Sequence, residues 1–274
     1  MSLLANPMIQ KELRQRLRER RAWVLPTLYI LLLSSVVLFA YSESSATQHG
    51  ANAQGAEIGL AIFASLVFSQ VIVLLLMAPV FSAGGITIEK EQRTFASLLT
   101  TLLTPPEIWW GKFVSSLLYL VLLLFCSLPL LALSFAFGGV EPTEVLLATL
   151  YSILVLATVC AVGLFCSALF RRSVHSTASA YGLVLVLSIV TAVVYMYMEA
   201  HRLQIARSPG DVPNPAFVQA PLLLNPLYPF LSLMERGAIN QFPYNVSSCL
   251  LYGAMLLLAA AFTMRLLKKS GEQV

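Results

Sequence analysis

Six runs of this chain are each long and apolar enough to cross a bilayer: about Trp23 to Tyr41, Ile58 to Phe81, Phe113 to Phe137, Val145 to Phe170, Thr177 to Met198 and Val246 to Leu267. A hydrocarbon core of roughly 30 Å takes about 20 helical residues, and within it the backbone polar groups have to be satisfied inside the segment. The expected fold class is therefore all-α, a polytopic membrane protein with six transmembrane helices. Composition agrees: 11% of residues are charged and the mean hydropathy is +0.80, far from the balance of a soluble domain.

Basic residues give the expected orientation, because short cytoplasmic loops are enriched in Lys and Arg. Lys11, Arg14, Arg16, Arg18, Arg20 and Arg21 precede the first span; Lys90, Arg93 and Lys112 separate spans two and three; Arg171 and Arg172 separate spans four and five; Arg265, Lys268 and Lys269 close the chain. Fourteen of the 17 thus fall on one side, against Arg202, Arg207 and Arg236 on the other. Both termini are expected in the cytoplasm, with the chain in the cytoplasmic (inner) membrane. The net charge of +4 follows from this bias and calls for no nucleic acid.

A cleaved signal peptide competes for the N-terminus, since "ANA" at Ala51 to Ala53 has a cleavage-site look. The apolar run ahead of it exceeds the roughly 7 to 15 residues of a signal core, so a retained first span is expected. Cys126, Cys160, Cys166 and Cys249 fall in or beside apolar spans without metal-ligand spacing, which predicts packing residues rather than a disulfide framework or metal site.

The span interiors carry no Asp, Glu, Lys, Arg or His; Glu144 and Glu199 sit at ends. Intramembrane charges normally mark proton relays, ion sites or catalysis, so ion-coupled transport and intramembrane hydrolysis are disfavoured. His49, His175 and His201 all lie in loops. No catalytic residue and no cofactor is expected, and the chain has no G-x-x-x-x-G-K-[ST] phosphate loop. If it moves a cargo, the energy has to come from a partner.

Between spans two and three lies "GGITIEKEQRTFASLLTTLLTPPEIWWGK", Gly84 to Lys112, with three basic and three acidic side chains. Phe95, Leu98, Leu99 and Leu102 recur at i, i+3, i+4 and i+7, one face of a helix too short to span. In "TPPE" that follows, Thr104 is a cap, Pro105 suits the first helical position and Glu107 stands at the capping-box position. A second helix is expected to start there and enter span three, with Trp109 and Trp110 in the aromatic belt and Lys112 snorkelling to the same interface. A passive interfacial helix fits the first pattern too, and Glu89, Lys90, Glu91 and Arg93 fit a solvated face.

This loop is similar to the corresponding segment of type-2 ABC exporter permeases, which reads as E-[KR]-E-x-G-T, a Leu-rich helix, T-T-P-x-[ST] and E-I-x-x-G-K. The likeness is carried by Glu89, Lys90, Glu91, Thr94, Leu98, Leu99, Thr100, Thr101, Glu107, Ile108, Gly111 and Lys112. Arg93 stands where the pattern has Gly, and Leu102 where it has Pro. The resemblance implies a coupling helix docking on a separate ABC ATPase subunit, with Glu89, Glu91, Arg93, Phe95, Leu98, Leu99 and Leu102 as the coupling residues. It also implies a second permease copy or homologue as partner.

The N-terminal "NPMIQKELRQRLRERR" puts Ile9, Leu13 and Leu17 at four-residue spacing among basic residues that include Arg14 and Arg18. Such a helix lies at an anionic leaflet, making membrane lipids a partner. The segment 200–245 holds seven of the 14 prolines; Pro226 and Pro229 break its apolar run, which predicts an interfacial or re-entrant element rather than a seventh span. It either shapes an outer gate or packs on spans five and six. Ala178-x-x-x-Gly182 permits close helix approach, within the chain or between copies.

The expected layout is one transmembrane domain over 1–274: an amphipathic helix in 1–22, spans one and two in 23–81, the coupling loop in 82–112, spans three to five in 113–199, the outer loop in 200–245, and span six with the tail in 246–274. The expected function is that of a permease subunit of an ATP-driven exporter. A non-transporting scaffold or mechanotransmission subunit coupled to an ATPase is the alternative.

Overall fold

A computed structural model describes residues 18, 21–47, 54–94, 104–205, 220–230 and 242–271. Among them are seven helices and no strand: α1 (Arg21–Thr47), α2 (Gln54–Ser82), the short α3 (Thr87–Glu91), α4 (Pro105–Phe137), α5 (Pro142–Leu169), α6 (Ser173–Ile205) and α7 (Phe242–Gly271). All but α3 are long and apolar enough to span a membrane. Each begins or ends several residues outside its apolar run, because a helix once nucleated continues through polar residues of good propensity.

The helix starts follow local sequence. At α4, the Thr104 N–H and hydroxyl both donate to a Glu107 carboxylate oxygen, each at 2.8 Å, ahead of Pro105 and Pro106. At α5, the Glu141 N–H donates to Glu144 at 3.1 Å and Pro142 follows. Both devices satisfy amide donors that have no partner within the helix.

The inner helices of the bundle are α2 and α5. Half of the most apolar window of α5 and 44% of that of α2 are buried, against 17% for α1 and α6. α2 packs on α1, α4, α5 and α6, while α5 also packs on α7. Leu33, Ile62, Leu66, Leu74, Leu120, Leu123 and Cys160 form the centre of the core. All four cysteines are free.

In lipid, helix association depends on close packing rather than on expulsion of water, and glycines provide it. A Cβ on Gly59 would lie 1.9 Å from the Gly138 carbonyl oxygen; one on Gly139, whose φ is 82°, would lie 2.1 Å from that of Ala56. The start of α2 therefore touches the backbone that leaves α4. Gly163 in α5 is similarly close-packed, its would-be Cβ 2.0 Å from Ser82 Oγ.

Between α6 and α7, Ala220–Leu224 forms a 3-10 turn. Asn225 follows it and donates from Nδ2 to the Ser188 carbonyl at 3.0 Å and to Thr191 Oγ1 at 3.1 Å. Those acceptors lie halfway along α6, so Asn225 packs against the middle of that helix. The Tyr252 hydroxyl holds it from α7 through the Leu224 carbonyl at 3.0 Å.

Candidate partner-coupling site

The chain leaves α2 through Gly84 and Gly85 and enters α3, five residues long. A single turn of helix is not stable in isolation. It is held here by groups from other helices. Ser167 of α5 accepts the N–H groups of Ile86 at 2.8 Å and Thr87 at 2.9 Å, capping α3 from outside.

The next three charged residues bind three different helices. Successive residues on a helix point about 100° apart, so Glu89, Lys90 and Glu91 fan out over more than half the circumference. Glu89 Oε1 pairs with Lys112 Nζ of α4 at 2.8 Å, with the Lys112 side chain only 3% exposed. Lys90 Nζ donates to the carbonyls of Ser167 at 3.1 Å, Ala168 at 2.5 Å and Phe170 at 3.0 Å. These lie at the end of α5, where carbonyls lack intrahelical partners and the helix dipole favours a cation. Glu91 Oε1 accepts the Ser173 N–H at 2.6 Å, an anion at the positive N-terminus of α6.

Arg93 closes α3. Its φ of 58° is left-handed; its N–H donates to the Lys90 carbonyl at 3.3 Å, and the Thr94 N–H to that of Glu89 at 3.0 Å. This is a Schellman cap, whose left-handed position is usually glycine. Arg93 occupies the place where the resembling loop pattern has glycine.

Hydroxyl groups attach the end of α2 to the same cluster. Ser116 of α4 donates to the Phe81 carbonyl at 3.0 Å, Ser176 of α6 to that of Ala83 at 2.8 Å, and Tyr181 of α6 to that of Leu76. One end of the bundle is thus cross-linked by polar bonds among α2, α3, α4, α5 and α6.

Three readings change. Lys112 turns inward to Glu89 rather than snorkelling, because a carboxylate 23 residues earlier in the chain reaches it. Trp109 is buried and stacked on Phe113, with ring centroids 4.7 Å apart and planes at 11°; Trp110 alone of the pair is exposed. Glu89 and Lys90 are likewise bonded into the bundle rather than lying on a solvated face.

Of the sequence candidates, Glu89 and Glu91 meet in this cluster, Arg93 caps it, and Arg18 is helical and exposed. Phe95, Leu98, Leu99, Leu102, Ile9, Leu13, Arg14 and Leu17 lie outside the described residues. The sequence reading missed Ser167 and the N–H of Ser173 as acceptor and donor. Neither has a local signal, since their partners lie about 80 positions away.

No curated protein matches the chain significantly. A family model described as "ABC-2 family transporter protein" matches residues 7–270. With that match over nearly the whole length, and six helices able to span a membrane, the chain belongs to the ABC-2 family of transporter proteins as a multi-pass membrane permease.

Proposed function

We propose that this permease is an exporter subunit driven by a separate ABC ATPase, and that the segment Phe95 to Leu102 is the helix on which the ATPase acts. The observation that carries this reading is the Glu89–Lys112 ion pair. It joins the two ends of the insert, so a displacement of residues between them is passed to α3 and α4 together. Lys90 and Glu91 extend the connection to α5 and α6. A rigid polar knot of this kind turns a push on one segment into a rearrangement of several spans, as a two-state switch requires.

The chain itself supplies no chemistry in this reading; ATP is hydrolysed by the partner. The basic end of the bundle faces the cytoplasm and both termini lie there. A second permease packs beside α6, where Ala178 is exposed and a Cβ on Gly182 would meet nothing within 4 Å among the described residues.

The test is Leu98→Asp with Leu99→Asp. Two carboxylates on a face outside the bilayer cost little on insertion but would be desolvated in an ATPase groove, a penalty of about 2 to 5 kcal/mol or more. The variant is expected to insert and purify normally and to lose ATPase capture and cargo flux in vesicles. Wild-type capture and flux would show that another element couples the two proteins.

A further inference from the structure

The α7 helix has one exposed face that changes character along its length. Leu258 and Phe262, 58% and 51% exposed, are followed on the same side by Arg265, Lys268 and Lys269, all exposed. The Arg265 guanidinium lies 6.0 Å from the centre of the Phe262 ring, at the boundary between the apolar and basic parts.

A second helix repeats this order. α5 runs parallel to α7: Thr158 donates to the Tyr252 carbonyl at 3.2 Å, and further along both helices Phe165 meets Phe262 edge-on at 6.3 Å. Beyond Phe165 come the exposed Leu169, then Arg171 and Arg172 in the turn to α6. At 1.5 Å per residue, Arg265, Lys268 and Lys269 lie about 5 to 11 Å beyond the paired rings along the bundle axis. Arg171 stands near the Lys90 ammonium and Arg172 near the Glu91 carboxylate, which leaves Arg265, Lys268 and Lys269 as the cationic set.

We propose that the exposed face of α7 binds an anionic phospholipid, its headgroup on Arg265, Lys268 and Lys269 and its acyl chains along Phe262 and Leu258. Charge complementarity identifies the occupant. Three cations within about one helical turn, next to exposed apolar side chains on the same helix face, match a molecule with an anionic head joined to hydrocarbon tails. Leu258 and Phe262 lie in the spanning part of α7, where the neighbour is lipid, so the cations one turn further along the same face meet lipid headgroups. Clustered cations also fit a headgroup with two phosphates better than one with a single phosphate.

The full-length chain, purified in mild detergent, would be titrated with diphosphatidylglycerol or with phosphatidylcholine of the same acyl chains, and bound lipid counted by native mass spectrometry. The wild type is expected to hold diphosphatidylglycerol at least about tenfold more tightly. Arg265→Gln, Lys268→Gln and Lys269→Gln together should remove that preference, while Arg202→Gln at the opposite end leaves it intact. A charge-preserving Arg265→Lys variant, which controls for folding, should keep it. Equal retention of the two lipids by the wild type overturns the proposal, as does an unchanged preference in the triple variant. Loss of ATPase capture in the triple variant with lipid preference unchanged would assign the basic set to a protein partner instead.

Discussion

Lys112 Nζ lies 2.8 Å from Glu89 Oε1, and the Lys112 side chain is 3% exposed while that of Glu89 is 20% exposed. An ammonium so deeply placed depends on its carboxylate partner. Removing one member leaves a poorly solvated charge, whereas removing both leaves none. Glu89→Gln is expected to destabilise the purified chain by about 3 kcal/mol, read as a lowered thermal midpoint in detergent. Glu89→Gln with Lys112→Met should recover most of the loss. A double variant as unstable as the single one would mean that Lys112 draws little from Glu89.

Arg93 holds a left-handed conformation in the Schellman cap of α3. For a residue with a Cβ this costs about 1 kcal/mol, and glycine avoids it. Arg93→Gly should raise stability slightly or leave it unchanged. Arg93→Val, with a branched Cβ, should lower it by more than about 1 kcal/mol. The reverse order in thermal unfolding would place the residue in another conformation.

Thr104 and Glu107 close the start of α4 reciprocally. Thr104→Ala is expected to cost about 1 kcal/mol, and hydrogen exchange at the first turn of α4 should speed up while exchange at the α4 centre is unchanged. Uniform acceleration along α4 would show that the cap supports the whole helix.

Gly59 and Gly182 should respond oppositely to a methyl group. On Gly59 it would sit 1.9 Å from a backbone oxygen that no rotamer change can move, whereas on Gly182 it would meet nothing within 4 Å. Gly59→Ala should cost more than about 3 kcal/mol and reduce the amount of folded protein recovered. Gly182→Ala should leave the chain folded; Gly182→Leu should reduce self-association in a crosslinking assay if copies meet there.

Orientation is tested by single cysteines in a background lacking the four native ones. His175, in the basic turn region, and Thr143, at the opposite end of the bundle, are both exposed. An impermeant maleimide added to intact cells is expected to label Thr143→Cys and spare His175→Cys. Labelling of His175→Cys alone would invert the topology.

The number of spans was legible in the sequence because the bilayer constrains length and polarity locally: about 20 apolar residues are sufficient evidence of a spanning helix. The start of α4 was equally legible, since Thr104, Pro105 and Glu107 act within one turn. Even the left-handed cap at residue 93 had a trace, in the glycine that the similar loops carry there. What only the tertiary structure decided was where the charges go. Glu89, Lys90, Glu91 and Arg93 fit a solvated face as well as a coupling site on sequence alone; the helices around them bond Glu89 and Lys90 into the bundle and tie the exposed Glu91 to the start of α6. Lys112 read as an interfacial anchor until Glu89 was found beside it. The physical reason is range: spans and caps are set by neighbours in the chain, whereas Ser167, Ser173 and Lys112 meet α3 across 23 to 82 residues, and only helix packing brings them together.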